Sequence, residues 1–231
     1  MPRPGRAREI LEAFTRQVAE VGYDETNFSA VAAEVGLSKG ALSHHFGAKE
    51  QMLAALQESY MDRRSMELDL MTDQLGDPAE RLAAVLHAFV IYYVQDRAAT
   101  VAVHREIARL ADREAMATGR AMRKTYLDAV REVLADGIGR GLFQAVDPAL
   151  QTLLVFGSAQ WMWTWFDPDG PTPPADVGSA LVTLVLGGLL VDRAALKGLA
   201  DPEGPAAKAA RAAVDRVADT YDVADRIAGK R

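Results

Sequence analysis

The stretch Phe28–Lys49, FSAVAAEVGLSKGALSHHFGAK, constrains this chain more than any other. Val31, Ala32 and Val35 recur at helical spacing, and Gly36 follows as the residue best suited to the left-handed conformation that ends a helix. Ser38 stands where an N-cap belongs, just ahead of Lys39-Gly40-Ala41-Leu42, so its hydroxyl can accept from backbone amides of the next turn. Ala32 is small where two helices must cross closely, and Leu37 and Leu42 are apolar where the second helix packs back on the first. Two short helices joined by a tight turn form a helix-turn-helix, whose second helix enters the major groove of DNA.

The remaining sequence predicts an all-α fold. Ile10, Phe14, Val18 and Val21 place one apolar face on a helix over Arg6–Val21. Met52, Leu53, Leu56 and Tyr60 begin a long helix from Ala48 to about Asp73, broken by Gly76-Asp77-Pro78, where Asp77 can cap and Pro78 fits the first helical position. Helices over Ala79–Gln95, Ala98–Leu110 and Arg113–Arg140 come next, with Gly137, Gly139 and Gly141 read as fraying and capping residues. Asp147-Pro148 opens a helix to about Phe166 that is apolar nearly all round and therefore must be covered on more than one side. Asp167–Pro174 is a proline loop, and Asp176–Leu196 a second apolar helix. It carries Gly187-Gly188, whose cost of about 1 kcal/mol each against alanine implies close backbone approach there. An alanine-rich helix over Pro205–Ile227 ends the pattern, and no sustained alternation or hairpin turn signals a strand. The surplus apolar surface around 148–166 and 176–196 predicts a homodimer interface packed as a four-helix bundle about a two-fold axis. A larger intramolecular core is the competing reading.

The 231 residues have a mean hydropathy of -0.05, and no apolar run reaches the roughly 18 residues of a membrane span. MPRPGRARE lacks the apolar core of a leader, and there is no cysteine for a disulfide or thiolate metal site, so cytoplasmic residence is expected. The net charge is -6, and acids outnumber bases even within residues 1–60. DNA binding then rests on where the bases fall, in the arm before Arg6 and at the starts of helices, together with helix N-termini that offer amides to phosphate. That reading predicts binding weakened by salt. Lys39 suits a guanine edge or a phosphate, Gly40 and Ala41 a close approach or a thymine methyl, His44 a base or phosphate, and Lys49 a phosphate. Phe89, Tyr92, Tyr93, His104, Arg105, Met122, Tyr126 and Trp161 are polar or aromatic groups on apolar faces and are the candidate lining of a small-molecule pocket. No His lies three residues after a Glu, as a di-iron bundle requires, and no HExxH or GxxxxGK[ST] is present. The chain reads as neither an enzyme nor a cofactor or metal carrier.

From Arg6 to Leu56 the chain resembles the TetR family of transcriptional regulators, on its amphipathic first helix, Gly22-Tyr23, Thr26-Asn27 and above all LSKGALSHHFGAKEQML. The resemblance implies a DNA-binding domain over residues 1–50 and a ligand-sensing, dimerising domain over 51–231. It implies a repressor that binds a palindromic operator as a homodimer and is released by a small-molecule effector. DNA contacts are then expected from Thr26, Asn27, Ser38, Lys39, Gly40, Ala41, Ser43, His44 and Lys49. Arg120–Phe143 with Trp161–Gly170 is similar to a subgroup responding to acyl-CoA thioesters, which implies an apolar or acyl-type effector. The alternative is a helical small-molecule binding protein with a vestigial DNA head. Ser43 departs from the tyrosine usual in the family at this place, and a serine donates with shorter reach. Ser43→Tyr is therefore expected to tighten operator binding, measured by fluorescence anisotropy.

Overall fold

A computed structural model describes residues 4–110 and 112–221, with the side chains of Pro4, Gly5, His45 and residues 107–109 left out. Its helices are α1 (Pro4–Val21), α2 (Phe28–Glu34), α3 (Lys39–Phe46), α4 (Lys49–Gln74), α5 (Pro78–Gln95) and α6 (Arg97–Leu110). Then come α7 (Ala117–Gly139), α8 (Pro148–Gln160), α9 (Pro174–Leu189), α10 (Leu196–Ala200) and α11 (Pro205–Thr220). The expected caps are present: the Asp77 carboxylate accepts from Ala79 N at 2.7 Å, and Asp147 from Ala149 N at 2.8 Å, each with proline in the first turn. Among the described residues no helix is long and apolar enough to cross a membrane.

Three helices end elsewhere than the sequence predicts. A 3-10 turn at Glu114–Met116 precedes α7, and another at Trp161–Thr164 replaces the last turn expected of α8. The helix expected to reach Leu196 stops at Leu189 because the backbone beyond it finds other partners. Gln144 N donates to Leu189 O at 2.8 Å and Val191 N to Leu142 O at 3.0 Å, around an isolated Phe143–Leu190 bridge. Of the helix expected over Pro205–Ile227, the part past residue 221 lies outside the described residues.

The chain forms two compact units, with α4 and α7 contributing to both. The first comprises, among the described residues, 4–63, 97–110, 112–123 and 220–221, and its core includes Ile10, Phe14, Val18, Val31, Leu42, Met52 and Leu56. Within it α1 packs against α2 and α6. The second comprises residues 64–96 and 124–219, where α5 packs against α9 and the core includes Leu82, Leu86, Tyr92, Tyr93, Val182 and Leu186. Each fully buried side chain of this size stabilises by about 1.5–3 kcal/mol.

Close approach occurs at a different glycine from those expected. A Cβ on Gly188 would meet nothing and one on Gly187 only ordinary contact, whereas one on Gly137 would run into the Phe143 ring. Gly137 is thus a packing site rather than a fraying residue. Its carbonyl also accepts from Leu142 N at 2.9 Å, turning the chain so that Phe143 folds back on α7.

His87 on α5 is buried, with Nε2 3.1 Å from the Leu199 carbonyl. Burial pulls its pKa below the ordinary histidine value; the Leu199 carbonyl and Asp201 act the other way, and Arg211 adds to the lowering. As pH falls through about 6.5 the unfolded imidazole takes up a proton that the folded one resists, so stability present above that pH is lost below it. The melting temperature is expected to fall between pH 7 and pH 5. In His87→Gln, which can still donate to Leu199, scanning calorimetry should show a smaller fall.

Candidate nucleic-acid interface and effector residues

The helix-turn-helix is built by local backbone chemistry. Asn27 caps α2, its side-chain oxygen accepting from Ser29 N at 2.8 Å. Thr26, expected among the DNA contacts, is 4% exposed and its hydroxyl donates to Gly22 O at 2.7 Å, so it fastens the preceding turn. Gly36 adopts φ +66°, and Leu37 N donates to Ala32 O at 2.8 Å to close the turn. Ser38 caps α3, its hydroxyl accepting from Ala41 N at 3.1 Å. Leu42 and Phe46 face inward, while Ser38, Lys39, Gly40 and His44 are exposed and Ala41 and Ser43 half-buried. One edge of α3 is therefore open along its length, with a helix N-terminus at one end.

The cations of this region are largely engaged with the protein itself. Arg16 pairs with Glu34 at 2.7 Å, Arg6 with Glu9 at 2.8 Å, and Arg8 with Glu12 at 2.8 Å. Lys49, the expected phosphate contact, donates to the Asp24 carbonyl at 3.0 Å and lies 4.6 Å over the Tyr23 ring. Burial lowers its pKa, opposed by the Asp24 and Glu25 carboxylates. Its ammonium is turned to the chain between α1 and α2. Arg113 also approaches the Tyr23 ring, at 5.6 Å. Tyr23 itself was legible only as a family match, because nothing in its spacing announces the two cations that converge on it.

The candidate effector residues divide between the two units. In the second, Phe89, Tyr92, Tyr93 and Tyr126 are all buried and packed ring against ring. Phe89 meets Phe156 at 5.1 Å between centroids, Tyr126 meets Phe156 at 5.7 Å, and Tyr93 meets Phe166 at 6.3 Å. Trp161, expected at a pocket wall, is 66% exposed, because the 3-10 turn after α8 carries its indole outward, edge to face with Trp163. In the first unit His104 packs edge-on to Tyr60 at 6.1 Å, and Met122 is half-buried. A cavity of about 20 Å³ in that unit is lined by Leu53, Leu56 and Gln57 of α4 and Ala102, Val103 and Glu106 of α6. It has room for about one water and includes none of the candidate residues. Among the described residues no His, Cys, Asp or Glu cluster is arranged to hold a metal.

A further surface lies on the second unit. Leu150, Leu153 and Leu154 of α8, Leu184 of α9, and Trp161, Trp165 and Val191 are each between 57% and 70% exposed. On α8 these residues recur at helical spacing, as one apolar stripe. Single exposed apolar side chains are ordinary on a protein surface, but a stripe of them is not.

Comparison with known proteins agrees with this geometry. Residues 10–56 match the family model of bacterial regulatory proteins of the tetR family, and residues 75–189 that of the tetracyclin repressor-like C-terminal domain. The chain is 30% identical to the HTH-type transcriptional repressor KstR2 of Mycobacterium tuberculosis H37Rv over 198 residues, covering 80% of this chain and 92% of that one. The solved structure of the ketosteroid regulator KstR2 of Mycobacterium tuberculosis superposes with TM-score 0.74 at 27% identity, over 81% of this chain and 96% of that one. AibR in complex with isovaleryl coenzyme A and operator DNA gives TM-score 0.72 at 28% identity, over 78% and 97%. With both domain models matched in order and a repressor related over most of its length, the chain belongs to the TetR family of bacterial transcriptional regulators.

Proposed function

We propose that this ligand-responsive repressor acts as a homodimer on a palindromic operator and is released by an acyl-CoA-like effector. The observation that carries the DNA-reading role is the open edge of α3, capped by Ser38 and presented beside the equally capped α2. Lys39, Gly40, Ala41, Ser43 and His44 lie along that edge toward base pairs, and the α2 and α3 N-termini, with Asn27 and Ser38, offer backbone amides to phosphate. The exposed stripe on α8 and α9 supports dimerisation by those helices. Two copies would then read half-sites about 34–36 Å apart.

The effector assignment rests on AibR, whose structure holds isovaleryl coenzyme A and operator DNA together. The aromatic interior of the second unit supplies apolar surface suited to an acyl chain. Such a ligand acts only through the difference in its affinity for DNA-bound and released conformations. A DNA-binding regulator of this kind works in the cytoplasm.

Anisotropy titrations on the DNA flanking its own gene test the whole reading. Isovaleryl-CoA is expected to weaken binding about tenfold or more, within the usual span of allosteric coupling, while CoA alone leaves it unchanged. A chain that binds acyl-CoA but gives no salt-dependent DNA shift would instead be a small-molecule binding protein. Leu153→Glu with Leu184→Glu should yield a monomer by sedimentation and lose operator affinity. Lys39→Ala should lower the slope of log affinity against log salt by about 1, whereas Lys49→Ala should weaken binding with the slope nearly unchanged.

A further inference from the structure

The turn between α1 and α2 is held from outside by other helices of the first unit. A helix leaves its last carbonyls without intrahelical donors. At the end of α1, Arg105 Nη1 of α6 approaches those of Ala19 at 3.5 Å and Glu20 at 3.4 Å, placing a cation at the negative end of the helix dipole. The next residue of α6, Glu106, is 2% exposed, and its Oε1 accepts from the backbone amide of Tyr23 at 3.0 Å. Lys49 at the start of α4 donates to the carbonyl of Asp24 at 3.0 Å.

Gly22 is required where these groups meet. Its φ of +88° disfavours any side chain, and a Cβ there would stand 3.1 Å from Arg105 Nη2 and 3.3 Å from Glu106 Oε1. The same turn sets how α2 begins. The Thr26 hydroxyl donates to Gly22 O at 2.7 Å, Asn27 then caps α2, and α2 packs against α3. Tyr23 is 7% exposed, with the Lys49 ammonium 4.6 Å and the Arg113 guanidinium 5.6 Å from its ring centroid, and Arg113 pairs with Glu50 at 3.2 Å.

We propose that Glu106 is a positioning residue for DNA recognition. Its buried carboxylate, acting on the Tyr23 amide, sets the direction in which the chain leaves α1 and so the tilt of α2 and α3. Glu106 touches no DNA; it acts through a charge-assisted hydrogen bond to backbone, which is more directional than apolar packing. α6 thereby has a specific handle on the reading head, at one atom.

The whole chain is tested as Glu106→Gln, which keeps an accepting oxygen in nearly the same place, and as Glu106→Leu, which keeps the volume and removes the acceptor. Anisotropy on the operator fragment, sedimentation and hydrogen exchange at the Tyr23 amide are read together. Glu106→Gln is expected to bind DNA within about threefold of the unaltered chain. Glu106→Leu should bind about tenfold more weakly, with Tyr23 exchanging about tenfold faster and the same assembly in sedimentation. Equal losses in the two variants, unaltered DNA affinity in Glu106→Leu, or weakened DNA binding with Tyr23 still protected would each overturn the proposal. Should Glu106→Leu fail to fold, Glu106→Asp withdraws the carboxylate by one methylene. It is expected to show the same paired loss, and normal affinity with normal Tyr23 protection in that variant would overturn the proposal.

Discussion

Much of the second unit depends on a buried ion pair. Arg64 and Glu67, one turn apart on α4, are 3% and 1% exposed, and the guanidinium meets the carboxylate through two contacts of 2.7 Å. The same guanidinium lies 3.7 Å over the Tyr92 ring and 3.6 Å from Asp96, the residue that ends α5. Either charge alone in that interior would carry a desolvation penalty of several kcal/mol; together, with an aromatic face and a second carboxylate, they become tolerable. The arrangement has geometric demands that a leucine would not have, so it ties the rotation of α4 to the end of α5. Tyr92, Tyr93 and Phe89 sit on that same helix, so the aromatic interior inherits its register from a polar contact.

The reading head meets a related constraint with the opposite sign. Its basic residues are few, and most are held by acids or carbonyls of the same unit. Exposed pairs of this sort contribute at most about 1 kcal/mol each, yet they lower the positive potential the head can show to DNA. Backbone amides at the starts of α2 and α3 supply anion-binding capacity without adding formal charge. A chain of net charge -6 can in this way present a DNA-reading surface.

Features decided locally are the ones legible in the sequence. Ser38, Asp77 and Asp147 act within three residues of themselves, so their caps are visible from spacing alone. The helix-turn-helix is legible for the same reason, and so is the apolar surplus around Leu153 and Leu184. Residues whose partners lie far along the chain are not. The carbonyl that Lys49 reaches is 25 residues away, and Glu106 carries no signal because Tyr23 is 83 residues away. Thr26 and Asn27 are interchangeable as caps on paper. The structure separates them through the Gly22 turn, which only the folded unit defines. Gly187-Gly188 stands out as a pair in mid-helix, whereas Gly137, set among other glycines, is packed against a ring.

The placement of the tryptophans makes the protein its own optical reporter. All of them fall at Trp161, Trp163 and Trp165, in and just after a single 3-10 turn, with Trp161 and Trp165 largely in water. Indole emission excited at long wavelength therefore comes from that short segment alone, with no contribution from α1 to α7. Whatever covers or uncovers it will change the colour of the whole molecule's fluorescence, without a label and without a background to subtract.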